Sequence, residues 1–312
     1  MNRLPHLLTP SRWLRLDIRR AVVAAVLGAT LLAGCSAAGS GGTPSGPPGD
    51  ADAIEVVAST TVLADLVRQV GGSHVIVTSL VPPGGEVHTF DPTPADIARV
   101  ADADLVVMNG LGLDDWVADL ATASGSEAPV LRVGEEIGGA TDPHLWMDVR
   151  NGIRYVARIG DELSRVDVAN ATSYGDQARA YTERLTELDG WAREQLAAIP
   201  AERRKVVSFH DALPSFAEAY GLDIVGTVVD APGQDPSAGE IAGLIDEIRA
   251  SGATALFGEA QFNPELARTI AEEAGITVVT DLYTDSLGDA PADTYEGMIR
   301  SDVEKVVEAL RE

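Results

Sequence analysis

The feature that most constrains the fold is an alternation of short β-branched runs with helical patterns, which occurs twice along the 312-residue chain. Short apolar runs bounded by turn residues are typical of strands, and apolar side chains three and four residues apart are typical of helices. Strands are predicted at residues 54–58, 75–81, 105–109 and 130–133, then at 205–209, 224–229, 255–258 and 276–280. Helices are predicted at residues 62–70, 94–101 and 115–123, then at 213–220, 238–250, 264–274 and 294–310. This alternation predicts parallel sheets that helices cover on both faces.

The stretch between the two repeats has a different pattern. Through residues 172–199, apolar side chains recur four and three residues apart and form one stripe, which Pro200 ends. A surface helix can carry such a stripe, but the position between two repeats favours a connecting helix about 40 Å long. We therefore expect two α/β domains, residues 53–168 and 203–312, joined by one long helix within residues 169–202. The stripe consists of Tyr174, Ala178, Tyr181, Leu185, Leu188, Ala192 and Ile199.

The first 34 residues have the pattern of a processing signal. Five arginines precede an apolar run of 14 residues, which is shorter than the roughly 20 residues of a transmembrane helix. The run ends in Leu32-Ala33-Gly34-Cys35, which resembles a bacterial lipobox. The alternative is an ordinary cleaved leader followed by an incidental cysteine. We expect removal of residues 1–34 and lipidation of Cys35, which would anchor the mature protein to the outer face of the cell membrane.

The segment after the predicted lipid is built from glycine, serine and proline. It has no apolar periodicity, so residues 35–52 are expected to form the lipidated cysteine and a flexible tether. Cys35 is the only cysteine in the sequence, so the mature protein has no internal disulfide although it is expected to work outside the cytoplasm. Its stability must therefore come from packing.

The formal net charge of −25 excludes one class of partner. Such an acidic surface repels nucleic acid and anionic lipid, and it raises the local concentration of cations. Many secreted proteins are acidic for other reasons, so charge alone does not identify a cation-binding protein. We expect no nucleic-acid partner.

Three histidines occupy predicted loops at strand ends. His88 lies in a loop rich in proline and glycine, His144 lies in Asp142-Pro143-His144, and His210 follows the predicted strand at residues 205–209. Neutral imidazole is a common zinc ligand, but a single histidine in a loop is more often structural or solvated. These three are far apart in sequence, so spacing alone leaves both a metal site and ordinary loop histidines open.

Five stretches of sequence follow one another in an order and spacing that match a known family. They are HTFDPTPADIARVADADLVVMNGLGLDDW (88–116), DPHLWMD (142–148), SFHDALPSFAEAYGL (208–222), FGEAQF (257–262) and TDLYTDSLG (280–288). The chain resembles the cluster A-I zinc- and manganese-binding lipoproteins of bacterial metal ABC importers, over nearly the whole mature length. The resemblance implies a monomeric receptor outside the cytoplasm that delivers one metal ion to an ABC permease. It also implies that the protein is not an enzyme.

The resemblance also implies the ligands of the metal. Three histidines and a carboxylate of the last motif bind the metal in this family, which corresponds here to His88, His144, His210 and Asp285. Asp281, four residues earlier at the predicted strand end, is the rival carboxylate. Asp285 is favoured because it occupies the matching position of the motif.

Two further positions bear on the predicted site. Glu259 of FGEAQF is expected to accept a hydrogen bond that orients a ligand, and the alternative is a glutamate that faces solvent at a strand end. The family usually has Asp-Pro before its first histidine, where this chain has Glu86-Val87. We expect this departure to change the conformation of the His88 loop.

The implied ligand set favours Zn²⁺ as cargo. Three imidazoles and one carboxylate suit a tetrahedral zinc ion. Manganese relatives typically have a carboxylate where this chain has His210, and manganese prefers oxygen ligands. A bidentate Asp285 would raise the coordination number and admit Mn²⁺ or Fe²⁺. Because imidazoles bind metal only when unprotonated, we expect affinity to fall below about pH 6.

Other classes of function remain as alternatives. A zinc hydrolase usually has three protein ligands and an open position for water, whereas four protein ligands close the site, and no H-E-x-x-H motif occurs. A surface adhesin is compatible with transport, and a metallochaperone would pass zinc to another extracytoplasmic protein. Because the connecting helix limits bending, metal exchange is expected to require only modest shifts of loops and domains.

Overall fold

Two four-stranded parallel sheets form the framework of the protein. The computed structural model describes residues 53–138, 142–229, 232–233 and 236–311. The predicted leader, Cys35 and the tether up to residue 52 lie outside the described residues.

The first lobe is a parallel sheet with strand order β2-β1-β3-β4. Its strands are β1 (Ile54–Ala58), β2 (Val75–Ser79), β3 (Leu105–Met108) and β4 (Val130–Arg132). Its helices are α1 (Thr61–Gly71), α2 (Pro94–Ala101), α3 (Trp116–Ser124) and α4 (Val133–Ile137).

The second lobe repeats this topology, with strand order β6-β5-β7-β8. Its strands are β5 (Lys205–His210), β6 (Asp223–Val229), β7 (Ala255–Glu259) and β8 (Thr277–Leu282). Its helices are α7 (Pro214–Tyr220), α8 (Ala238–Ser251), α9 (Glu265–Ala274) and α10 (Tyr295–Arg311). All the strand pairs in both sheets are parallel, as the alternation predicted.

Neighbouring strand residues face opposite sides of each sheet, and both sides are covered. Val56 packs into a large central core with α1, α5 and α6, whereas Val57 packs into a smaller cluster with α2 and α3. In the second lobe, Val206 joins the central core and Val207 packs against α8 and α9. Each sheet is therefore buried on both faces, as expected for parallel sheets.

Two long helices lie between the lobes in sequence. The connecting helix α6 (Ala171–Ala197) has 27 residues, and the predicted stripe faces inward. The helix that precedes it, α5 (Val149–Val166), was not predicted, although its buried positions also recur three and four residues apart. Asp148 caps α5, because its carboxylate accepts a hydrogen bond from the Arg150 backbone N–H. The prediction of one long connecting helix is confirmed, and α5 packs along it.

The central core is continuous between the two lobes. It contains fully buried side chains from α1, α5 and α6 of the first half, such as Leu63 and Val156, together with Phe257 of β7 and Met298 of α10. Both lobes belong to one compact unit. A wide hinge motion would have to open this core, so the structure favours small displacements of the lobes.

Close contact between α5 and α10 depends on a glycine. A β-carbon added at Gly152 would lie 2.4 Å from the Tyr295 hydroxyl oxygen. That hydroxyl donates a 2.5 Å hydrogen bond to the Trp146 carbonyl, next to the segment that carries His144. The packing of α10 on α5 thereby fixes one part of the predicted site.

A helix that crosses a membrane needs about 20 mostly apolar residues. In the part of the chain that it describes, no helix combines the length and apolar character that a bilayer span requires.

Candidate metal centre

The four residues that the family resemblance implied as ligands meet at the carboxyl ends of the two sheets. His88 lies in the loop between β2 and α2, and Asp285 lies in the loop after β8. His210 is the last residue of β5, and His144 precedes a short 3-10 turn (Leu145–Met147) that leads into α5. One ligand atom from each side chain lies within 4.8 Å of the others. Each lobe contributes two of the four.

The position of His144 differs from the sequence prediction. Residue 144 was expected to follow a strand directly, but β4 ends at Arg132 and α4 comes between them. The segment is instead held by side chains, because the Asn109 amide donates a 2.9 Å hydrogen bond to the Pro143 carbonyl. Tyr155 of α5 donates to the carbonyl oxygen of the Asn109 side chain at 2.6 Å. A polar network rather than a strand end therefore places His144.

The distances between donor atoms match a small coordination sphere. The His144 Nε2 lies 3.2 Å from Asp285 Oδ1, and the Nε2 atoms of His210 and His88 lie 3.4 and 3.7 Å from Asp285 Oδ2. The two Nε2 atoms of His88 and His144 are 3.3 Å apart. A tetrahedral zinc ion with bonds of about 2.0–2.1 Å has ligand atoms about 3.3 Å apart. The residues present therefore fit a metal ion at their common centre.

Three of the four side chains are almost completely buried. His144, His210 and Asp285 are 2%, 1% and 1% exposed, whereas the side chain of His88 is 17% exposed. Among the described residues, the buried His210 Nε2 has no hydrogen-bond partner. Buried polar atoms in native proteins are nearly always paired, so an unpaired imidazole nitrogen that points at a carboxylate indicates a site for a cation.

Carboxylates behind two histidines orient their imidazole rings. Glu259 Oε1 lies 2.9 Å from His210 Nδ1, and Asp142 Oδ1 lies 3.3 Å from His144 Nδ1. A hydrogen bond from Nδ1–H to a carboxylate leaves the Nε2 lone pair free for a metal. Glu259 is 2% exposed, so the alternative of a glutamate facing solvent is wrong.

Asp285 carries the negative charge of the cluster. Burial disfavours the charged form of His144, but the Asp285 carboxylate and hydrogen bonds to Asp142 and Asp285 outweigh burial and raise the His144 pKa to about 9. Burial opposes the charged form of His210 as well, yet Asp285 and Glu259 raise its pKa well above the ordinary 6.5. Burial also opposes the ionisation of Asp285, but the two imidazoles hold the pKa of its carboxyl well below the usual range. In the metal-free protein, the Asp285 carboxylate therefore favours the protonated form of both imidazoles.

His88 differs from the other two histidines. Burial lowers its pKa to about 4, and the neighbouring imidazoles act in the same direction against the Asp285 carboxylate. His88 is therefore neutral near pH 7 and can accept a metal ion without losing a proton.

Aromatic side chains enclose the cluster. The Trp146 ring lies 5.5 Å from the His144 ring, and its indole N–H donates a 2.8 Å hydrogen bond to the Thr284 carbonyl of the second lobe. The Phe262 ring lies 5.3 Å from the His210 ring. These contacts exclude water from the buried side of the cluster, where electrostatic attraction is stronger.

A family of known proteins matches nearly all of the chain that the structure describes. The sequence model of the family described as zinc-uptake complex component A, periplasmic (ZnuA), matches residues 56–309. The chain belongs to this family. The resemblance that the sequence motifs indicated is therefore confirmed. Membership in the ZnuA family makes the chain a metal-binding receptor of an ABC importer that acts outside the cytoplasm, and not an enzyme.

Curated relatives within this group differ in the metal that their names give. The chain is 33% identical to the manganese-binding lipoprotein MntA of Halalkalibacterium halodurans over 283 residues, covering 88% of this chain and 94% of that protein. It is 27% identical to the iron ABC transporter substrate-binding lipoprotein MtsA of Streptococcus pyogenes over 308 residues, covering 93% and 97%.

Solved structures of the same type agree in fold. The periplasmic zinc-binding protein TroA from Treponema pallidum has a TM-score of 0.76 and 25% identity, covering 83% of this chain and 99% of that one. A manganese-bound periplasmic metal-binding protein from Candidatus Liberibacter asiaticus has a TM-score of 0.75 and 26% identity, covering 82% and 99%. These similarities confirm the prediction of two parallel α/β domains joined by a long helix.

The rival carboxylate lies outside the cluster. The side chain of Asp281 is 61% exposed, and its Oδ2 lies 3.0 Å from the Lys305 ammonium. Asp285 lies three residues beyond the end of β8, where the chain has turned toward the other three side chains. The geometry therefore favours Asp285 as the candidate ligand.

Sequence reasoning missed the roles of two carboxylates. Glu86 and Asp142 each lie two residues before a histidine of the cluster, and each accepts a 2.8 Å hydrogen bond from that histidine's backbone N–H. The shared spacing, carboxylate-x-His, was visible in Glu86-Val87-His88 and Asp142-Pro143-His144. The departure from Asp-Pro thus keeps a carboxylate that closes the turn. Burial and the nearby Asp285 carboxylate raise the Glu86 pKa to about 7.

Proposed function

We propose that the protein is the zinc receptor of an ABC-type importer and that His88, His144, His210 and Asp285 bind one Zn²⁺ as its cargo. The observation that carries this proposal is the convergence of three imidazole Nε2 atoms on one buried carboxylate at 3.2–3.7 Å. All four ligands come from one chain, so the proposed functional unit is a monomer. The loaded receptor would deliver its ion to the permease.

The choice of zinc rests on the chemistry of the donor atoms. The names of similar proteins include manganese, iron and zinc, so the names do not decide among these metals. Three neutral nitrogens and one carboxylate form a borderline set with few oxygens, which suits zinc better than manganese. The distances of 3.2–3.7 Å between the imidazole Nε2 atoms and the Asp285 oxygens are close to those around a tetrahedral zinc ion and support the same choice.

Manganese is the second candidate, and one observation favours it. Both oxygens of Asp285 face histidines, with Oδ1 near His144 and Oδ2 near His210. A carboxylate that binds through both oxygens would give five donor atoms instead of four. Larger coordination numbers suit manganese and iron(II) better than structural zinc sites.

The site also suggests how the ion enters and leaves. His88 is the only one of the four side chains with substantial exposure, and it lies on a loop rather than on a strand. The continuous core between the lobes restricts large rotations. We infer that the ion exchanges past His88 after local movement of the β2–α2 loop and a small shift of the lobes.

A calorimetric titration tests the metal. We expect metal-free protein to bind one zinc ion per chain tightly and manganese more weakly. The His210→Ala variant should lose at least about 100-fold in zinc affinity, which is the upper end of the loss typical for residues that only support a ligand. Tight manganese with weak zinc would replace zinc by manganese in the proposal. Absence of binding for both ions would remove the proposed function.

We also propose that a lipid on Cys35 anchors the receptor to the membrane through the tether of residues 35–52. Mass spectrometry of the mature protein is expected to show an N-terminal Cys35 that carries lipid. The Cys35→Ser variant should lose the lipid and leave the membrane fraction, because a serine cannot form the thioether. A mature N-terminus at another residue, or an unchanged membrane fraction for the variant, would contradict the anchor.

A further inference from the structure

One carboxylate connects a candidate metal ligand of the first lobe to a helix of the second lobe. Asp142 Oδ1 accepts the 2.8 Å hydrogen bond from the His144 backbone N–H and lies 3.3 Å from His144 Nδ1. Asp142 Oδ2 accepts a 3.0 Å hydrogen bond from the Ser215 backbone N–H and another from the Ser215 hydroxyl. Ser215 is the second residue of α7, 73 positions away in the chain. We call Asp142 with these contacts the Asp142 bridge.

The Asp142 bridge ends on α7, the helix that follows the second-lobe candidate ligand His210. Residue 210 ends β5, and only three residues separate it from the first residue of α7. Asp142 therefore touches both the His144 ring and the helix that follows His210. A cavity of about 560 Å³ borders the bridge, and its lining includes Asp142 and Ser215. Water in this cavity can replace the Ser215 contacts when α7 moves away.

Glu259 provides a comparison within the same site. It also orients a histidine, because its Oε1 lies 2.9 Å from His210 Nδ1. Both residues belong to the second lobe, and among the described residues the other oxygen of Glu259 has no hydrogen-bond partner. Glu259 therefore makes its hydrogen bond within the second lobe, whereas Asp142 hydrogen-bonds to residues of both lobes.

We propose that Asp142 is a positioning residue that couples the separation of the lobes to the release of the metal. While Ser215 holds Oδ2, the carboxylate is fixed and Oδ1 holds the His144 imidazole with Nε2 toward the ion. When α7 moves away, the carboxylate is free to turn, and His144 loses its orientation. This inference rests on the proposed function, because it takes His144 as a ligand of the cargo.

The rate of zinc release tests the coupling. Zinc-loaded protein is mixed rapidly with an excess of a chromogenic chelator, and the dissociation rate is measured for single and double variants. Asp142→Ala is expected to speed release about 10–100-fold, the usual effect of removing a carboxylate that orients a ligand. Ser215→Ala removes only the hydroxyl contact and leaves the backbone N–H, so a smaller increase of about 3–10-fold is expected.

The double variants distinguish coupling from simple orientation. If Ser215 acts through Asp142, adding Ser215→Ala to Asp142→Ala should not speed release further. The matched control is Glu259→Gln, where adding Ser215→Ala should multiply the two effects. Thermal melting of the metal-free variants checks the fold, and Asp142→Asn replaces Asp142→Ala in the cycle if the alanine variant does not fold.

Each outcome has a separate meaning. The coupling would be overturned if the effects of Asp142→Ala and Ser215→Ala on the release rate multiply, as those of Glu259→Gln and Ser215→Ala are expected to. A Ser215→Ala variant that releases zinc at the wild-type rate would also overturn it. Failure of the wild-type protein to bind zinc would instead count against the proposed function. If the protein binds manganese, the same cycle is measured with manganese and still tests the bridge.

Discussion

Replacing Asp285 with alanine is expected to weaken zinc binding by more than about 1,000-fold, well beyond the roughly 10–100-fold loss typical for residues that only support a ligand. Asp285 is the single anionic member of the cluster, and it is 1% exposed. Its carboxylate lies within 3.2–3.7 Å of all three Nε2 atoms. Without it, a doubly charged ion would enter a buried site that offers only neutral donors, and the attraction between charges is strong where water is excluded. Competition with a chelator of known affinity measures the loss.

Asp281 supplies a matched control only four residues away. Its side chain is exposed and pairs with Lys305, so Asp281→Ala is expected to leave zinc affinity unchanged. Exposed ion pairs contribute little to stability, so the variant should also fold normally. A large loss for Asp281→Ala with little change for Asp285→Ala would reverse the assignment of the carboxylate ligand.

Zinc affinity is expected to fall by at least about 10-fold for each pH unit between pH 8 and pH 6, because at least one proton leaves when the ion binds. The pKa of His144 is raised to about 9, so its imidazole carries a proton across this range, and the raised pKa of His210 adds to the loss. Zinc needs both as neutral ligands. Lowering the pH favours the protonated, metal-free state, and the affinity therefore falls. This loss begins at a higher pH than the value near 6 that is expected for free imidazoles.

Calorimetry in buffers with different heats of ionisation counts the released protons directly. His88, with a pKa of about 4, should contribute none near neutral pH. His74 is a control, because it lies after α1 and contacts Tyr174 rather than the cluster, and His74→Ala should release the same number of protons as wild type. A zinc affinity that stays constant from pH 8 to pH 6 would falsify the charged pairing of Asp285 with His144 and His210.

The fold was largely predictable because it depends on local patterns. The predicted strands and helices agree with the structure within two residues at each end, since β-branched runs and helical stripes are strong signals. The exceptions are α4, which has only five residues, and α5, whose apolar positions are separated by four arginines and several other polar residues. These polar side chains cover the outer face of α5, and only the packing against α6 shows that the remaining positions form a buried stripe.

The sequence predicted the candidate ligands that lie within single motifs. It did not predict the contacts between residues that are distant in sequence. His88, His144 and His210 stood out as histidines in loops, but their convergence could be expected only through the family. Whether Glu259 at a strand end faces solvent or a ligand depends on the second-lobe packing around β7. The contact between Asp142 and Ser215 crosses 73 positions, so no local pattern could indicate it. The candidate ligands follow from the motifs, whereas the residues that support them follow from tertiary structure.

The continuous core between the lobes separates the stability of the fold from the presence of the ion. In a structural zinc site the metal supplies folding energy, and the protein unfolds when it is removed. Here apolar side chains of both lobes pack together without any contribution from the four candidate ligands, and in the metal-free cluster His144 and His210 stabilise the buried Asp285 carboxylate. The ion can therefore dissociate without unfolding the protein. One protein molecule can then bind and release the metal repeatedly.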